Sequence, residues 1–151
     1  MRTVVEELVY RSCLLLDERD FEGYLALCTT DFRYIVRAYT PEIRRDMVWL
    51  DHDRSDMEAL FRTLPRHHSD PSPLTRHATV YTVTFDAAKT QASVVSALQV
   101  FRTAVDGGAT ALFAVGKVHD TVTLHGDDAR LAKRVIRLDT RELGIGSHVP
   151  F

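Results

Sequence analysis

The 151 residues include only two cysteines, Cys13 and Cys28, and that scarcity excludes a disulfide scaffold and any four-sulfur zinc or iron–sulfur site. Each lies in an apolar stretch that reads as helical, so both are expected to be reduced and buried. Lysine is nearly as rare: Lys89, Lys117 and Lys133 stand against sixteen arginines, and the formal net charge is -2. A chain without a basic excess lacks the counterion-releasing face that non-specific nucleic-acid binding requires, so no nucleic-acid partner is expected. Long apolar runs are missing as well. Met1 to Glu7 reaches two glutamates before any sustained apolar stretch, which argues against a secretory signal or a membrane span and for a cytoplasmic protein. Seven glycines and five prolines are too few for a collagen-like or low-complexity chain. What is present is ordinary globular usage, 45% hydrophobic and 26% charged, in a length that suits one domain over residues 1–151.

Periodicity orders the chain into helices first and strands afterwards. Val5, Leu8, Val9, Leu15 and Leu16 form one helical stripe between Val4 and Leu16, with Ser12 as its polar gap. Asp20 suits an N-cap for a second short helix carrying Phe21, Tyr24, Leu25 and Cys28. Phe32 to Tyr39 is rich in β-branched and aromatic residues and stops at Thr40-Pro41, as a strand should. Glu42 to Asp46 reads as a loop or the start of a short strand. Met57, Leu60, Phe61 and Leu64 give a third helix, with Ser55 and Glu58 at the spacing of a capping box and Pro65 ending it. Four β-leaning runs follow, Ala78 to Phe85, Ala92 to Val105, Thr110 to Leu124 and Ala129 to Leu143, separated by turn residues such as Asp106-Gly107-Gly108. Connections this short make the four runs antiparallel. Strands this long have to bend. The expectation is an α+β protein whose N-terminal helices pack on a strongly curved, mainly antiparallel sheet that forms a cone around a pocket.

This order of elements resembles the ketosteroid-isomerase-like, or cystatin-like, superfamily. Trp49-Leu50-Asp51-His52-Asp53 ahead of a helix, Leu74-Thr75-Arg76-His77 opening the first long strand and Arg137-Leu138-Asp139-Thr140-Arg141 on the last strand are similar to the small (β) subunit of Rieske non-haem iron oxygenases. The tail Leu143 to Phe151 resembles an alkanesulfonate monooxygenase subgroup rather than the aromatic-ring dioxygenases. The resemblance covers nearly the whole chain. It implies a non-catalytic subunit that supports a large (α) subunit carrying the Rieske [2Fe-2S] cluster and a mononuclear iron, in an assembly of three large and three small chains. It also implies self-association as a trimer; Trp49 to Asp53 and the tail are the contact surfaces expected here. The residues agree on one point: a Rieske cluster needs Cys-x-His and Cys-x-x-His pairs, and here Cys13 precedes Leu14-Leu15 and Cys28 precedes Thr29-Thr30. No cofactor is expected in this chain.

Two constellations could carry chemistry and are weighed against plain structural roles. His67, His68 and Asp70 supply the residue types of a two-His-one-carboxylate iron site, but adjacent histidines in extended chain point apart, and no metal site is expected there. Asp51 and His77 could form an acid–base pair, with Tyr34 polarising a carbonyl, in a stand-alone dehydratase or isomerase using the cone pocket. The alternative for Asp51 and Asp53 is capping a helix start, with Arg76 and His77 as their ion-pair partners. His119 reads as a strand histidine sharing a face with Phe113, Val115 and Lys117. The expectation is that no residue of this chain is catalytic.

Overall fold

The computed structural model describes residues 1–64, 71–140 and 150–151. The element order is α1 (Arg2–Asp17), α2 (Phe21–Ala26), β1 (Cys28–Thr40), β2 (Arg45–Asp53), α3 (Arg54–Thr63), β3 (Leu74–Phe85), β4 (Gln91–Thr103), β5 (Thr110–His125) and β6 (Asp128–Leu138). The strands form one open six-stranded sheet in the order β2-β1-β6-β5-β4-β3. Every neighbouring pair is antiparallel except β1 and β6, which run parallel. The expected α+β architecture and antiparallel meander are therefore present. Register shifts interrupt each ladder, at Val36/Arg37, Val80/Thr82, Val100/Phe101 and Thr121/Val122 among others, and these bulges let long strands bend.

The helices cover one face. α1 buries Val5, Leu8, Val9, Leu15 and Leu16, the predicted stripe, and packs on β3 and β6. Ser12, the gap in that stripe, is buried because its hydroxyl donates to the Val9 carbonyl at 2.6 Å and so needs no outside partner. α3 packs on β1 and β2, and its Phe61 ring stacks on Phe21 of α2 at 4.5 Å. Along β5 the even-numbered residues from Ala114 to Leu124 face this core, giving the period of two that a half-covered sheet demands.

Three local expectations need correction. α2 ends at Ala26, two residues short of Cys28, which instead opens β1; its thiol still donates to the Tyr24 carbonyl at 3.4 Å, so the apparent helical spacing reflects a real contact across a chain reversal. The capping box of α3 is Asp53 with Asp56, not Ser55 with Glu58. Asp53 Oδ1 accepts from the Asp56 N–H at 2.8 Å and Asp56 Oδ2 accepts from the Asp53 N–H at 3.1 Å, starting the helix two residues earlier. The segment from Arg45 is a full nine-residue strand paired with β1, so Asp51 belongs to a strand and only Asp53 caps.

One position in β5 tolerates only glycine. A Cβ on Gly116 would run into the Arg137 carbonyl of β6, where the two backbones approach closely. Gly116→Ala is expected to lower unfolding free energy by about 1–3 kcal/mol, the usual cost of overpacking, measured by denaturant titration.

Candidate functional site

The interior of the bent sheet holds an ion pair. Asp120 on β5 and Arg134 on β6 are opposite one another in the register, and both sit at inward positions among Val118, Val122, Leu131 and Ile136. Arg134 Nε and Nη2 donate to the two oxygens of Asp120, each at 2.8 Å, and both side chains are essentially inaccessible. Burial works against the Arg134 charge, but the attraction of Asp120 and its hydrogen bonds outweigh it and hold the guanidinium firmly protonated. Two tyrosines share this interior. Burial raises the Tyr24 hydroxyl well above its ordinary range and pushes Tyr34 up to about 12, against the opposing hydrogen bond from the Phe151 N–H. Neither hydroxyl can serve as a base near neutrality. Tyr24 Oη and Ser96 Oγ are buried and make no hydrogen bond among the described residues.

Pro150 and Phe151 close the rim of this interior. The Phe151 N–H donates to Tyr34 Oη at 2.8 Å, and the Phe151 ring stacks on Phe113 with 6.3 Å between centroids. Arg76, on β3, is buried; its Nη1 donates to Asp17 Oδ1 at 2.8 Å and its Nη2 donates to the Pro150 carbonyl. Asp17 also accepts the Arg76 backbone N–H, so one carboxylate ties the end of α1 to the start of β3.

The predicted acid–base set is not brought together. Asp51 lies on β2 and His77 on β3, the two opposite edges of the six-stranded sheet. Asp51 accepts from Arg33 on the neighbouring strand, and His77 is exposed with its ring 5.1 Å from that of Phe101. Arg76 pairs with Asp17 rather than with Asp51 or Asp53, because β3 begins under α1 and far from β2. Tyr34 is inside, occupied by Phe151. His119 is exposed on the outer face, and the bulge opposite Phe101 breaks the expected shared face by placing Phe113 against the core. His67, His68, Asp70 and the tail from Leu143 to Val149 lie outside the described residues. Among the described residues no group of three His, Cys, Asp or Glu side chains could hold a metal ion, and no helix is long and apolar enough to cross a membrane. Cys28 is buried with its thiol pushed up to about 12 by desolvation, the opposite of what a thiolate ligand needs.

Sequence reading passed over Asp120 and Arg134 in favour of His119. The signal was available: each charge occupies an inward position of an alternating strand, and two opposite charges at inward positions of consecutive strands are a buried pair waiting for a register.

Outside, apolar side chains collect on the β1–β2 hairpin. Tyr39, Ile43, Met47, Val48 and Trp49 are all exposed, Trp49 to 40% and Val48 to 54%, along an edge strand.

Comparison with known proteins places this arrangement. The family model described as ring hydroxylating beta subunit matches residues 11–144. The chain belongs to that family. It is 42% identical over 153 residues to the methanesulfonate monooxygenase hydroxylase subunit beta of Methylosulfonomonas methylovora, covering 97% of this chain and 84% of the relative. It is 32% identical over 146 residues to the 2-aminobenzenesulfonate 2,3-dioxygenase subunit beta of an Alcaligenes species, covering 97% and 96%. Among solved structures, naphthalene 1,2-dioxygenase with indole bound matches with a TM-score of 0.79 at 16% identity, over 97% of this chain and 83% of that one. An NTF2-like protein with a cystatin-like fold from Novosphingobium aromaticivorans matches with a TM-score of 0.68 at 22% identity, over 93% and 83%. The expected fold class and family are thus both correct, and a β subunit of an oxygenase hydroxylase implies a larger partner chain.

Two outcomes follow from the interior of this β subunit. Asp120→Ala, which strands the Arg134 charge, is expected to cost about 3–5 kcal/mol, whereas replacing both residues by leucine and methionine recovers most of the loss; chemical denaturation of the three proteins checks this. Cys28 has a folded pKa above its unfolded value of 9.0, so the folded chain keeps a proton that the unfolded chain releases. Its contribution is complete below pH 9 and is lost as pH rises towards about 12. Stability is expected to fall through that window, less steeply in Cys28→Ala, as read from unfolding midpoints at stepped pH.

Proposed function

We propose that this chain is a non-catalytic scaffold of an oxygenase hydroxylase acting on an organosulfonate, with redox centres housed in the large partner subunit. The observation that carries the scaffold reading is the filling of the bent sheet's interior by the Asp120–Arg134 pair and Phe151, with Asp51 and His77 at opposite edges. A site for acid–base turnover needs convergent groups around a vacant space, and here Asp120 and Arg134 are engaged with each other and the Tyr34 hydroxyl with the Phe151 N–H. The sulfonate class is supported by the two relatives, whose names specify methanesulfonate and 2-aminobenzenesulfonate. The large subunit is taken to hold a Rieske [2Fe-2S] cluster and a mononuclear iron. This chain's own thiols do not suit that cluster, since neither stands in a Cys-x-His or Cys-x-x-His pair. We place the complex in the cytoplasm as three large and three small chains, with the small chains able to trimerise and residues 1–151 forming one domain.

The contact surface in this reading is the β1–β2 hairpin. Trp49, Met47 and Val48 present apolar area beside the open backbone edge of β2, and Arg33, Asp51 and Asp53 supply a polar rim. Interface anchors are enriched in tryptophan, and truncating one commonly costs about 2 kcal/mol or more. In complexes reconstituted with the large subunit, Trp49→Ala is expected to reduce the amount of assembled hydroxylase at a given subunit concentration. Activity per assembled complex should be unchanged. His77→Gln, at the far edge, is expected to leave both assembly and turnover near the parent values. Loss of turnover in fully assembled, iron-replete His77→Gln complexes contradicts the scaffold reading, and undiminished assembly of Trp49→Ala removes the hairpin from the interface.

A further inference from the structure

Phe151 occupies an unusual position: its backbone answers the hydroxyl of one buried tyrosine while its ring fills aromatic space behind Phe113. The surroundings have the features of a binding site for a ring. Phe113 neighbours both the Arg102 guanidinium, 4.1 Å from the ring centroid, and the Phe151 ring, 6.3 Å between centroids. Deeper in, Tyr34, Tyr24 and Ser96 line the same interior, and the Tyr24 and Ser96 hydroxyls have no hydrogen-bond partner among the described residues. From outside, an open groove of about 560 Å³, lined by Ser72, Arg102, Val105, Leu112 and Phe113, reaches the same phenylalanine. The groove and the buried aromatic contact therefore share Phe113, whose stacking neighbour is a side chain of the protein itself.

We infer that Phe151 is a built-in plug occupying a binding site for a small neutral monocyclic aromatic molecule, bounded by Phe113 and the Tyr34 hydroxyl. The ring of Phe151 stands where the ring of the ligand would be, and the contact to Tyr34 holds the plug in. The fold can thus accept an aromatic ligand, and this chain excludes one by supplying its own. The inference concerns this chain alone and does not depend on the oxygenase partner or its substrate. The physical precedent is general: an apolar cavity left by truncating a large side chain stays dry and takes a benzene-sized guest.

The test compares the parent chain with Phe151→Ala and Phe151→Leu, using toluene and phenol as probes. Calorimetric titration is followed by a crystal structure of any complex. Phe151→Ala is expected to bind at least one probe with a dissociation constant of about 1 mM or tighter, a reasonable limit for seven heavy atoms. Binding to the parent should be at least about tenfold weaker, and Phe151→Leu, which keeps most of the plug, should resemble the parent. The bound ring should lie against Phe113. If Phe151→Ala folds only when toluene or phenol is present, the inference is equally supported, because ligand binding to the native state drives folding. It is overturned if folded Phe151→Ala binds neither probe, if the parent binds as well as the variant, if the probe lies elsewhere, or if an unfolded Phe151→Ala is not rescued by either probe.

Discussion

Two charges placed face to face in an apolar interior restrict a sheet more than any single apolar contact does. Asp120 and Arg134 meet only in one register of β5 against β6, and a slip by one residue would leave them on different faces of the sheet, each without its partner. Desolvating an isolated charge costs several kcal/mol, so the misregistered alternatives are strongly disfavoured even if the paired state itself adds little stability. The remaining ladders inherit this register. β6 sets β1 through the parallel pairing, and β5 sets β4 through the antiparallel one. The ion pair thus acts as a specificity device at the centre of six long strands whose bulges would otherwise permit several pairings.

A second ionic contact does the same work between layers. Arg76 reaches the end of α1 through Asp17 and the rim of the sheet through the Pro150 carbonyl. Helix, first meander strand and closing segment are joined at one buried guanidinium, whose planar fork suits several acceptors at once. The two arginines thus occupy the interior and its rim with ion pairs, Arg134 with Asp120 and Arg76 with Asp17. Apolar residues of the β1–β2 hairpin, Met47, Val48 and Trp49 among them, remain exposed on a chain whose family implies a larger partner.

How much of this was readable beforehand depended on whether a feature was local. The α1 stripe, the turn residues between the four long strands and the length of those strands are local, and they yielded the helices, the antiparallel meander and the curvature. The family resemblance rested on short motifs and proved correct. Pairings between distant segments were not legible. Nothing in Asp51 or His77 announces that their strands lie at opposite edges, since edge order depends on β1 inserting beside β6 rather than beside β3. Asp17 as the partner of Arg76 is 59 residues away and could be found only from the packed fold. Asp53 and Asp56 show the smaller failure: two capping boxes two residues apart were both permitted by spacing, and the one using aspartates at both positions forms.

The parallel pairing of β1 with β6 also governs when this fold can come into being. Ile35 is opposite Val135, a hundred residues later, and every hydrogen bond between those strands closes a loop containing most of the chain. Loop-closure entropy must be met before such contacts stabilise anything, which places the molecule among slow, high-contact-order folders. During synthesis the helices and the β1–β2 hairpin emerge early and then wait, with one edge of β1 unpaired, until β6 leaves the ribosome and fills the gap. The nascent hairpin is therefore sticky at both of its edges for most of translation. The mature sheet retains only the outer one, on β2, where Met47, Val48 and Trp49 stay exposed.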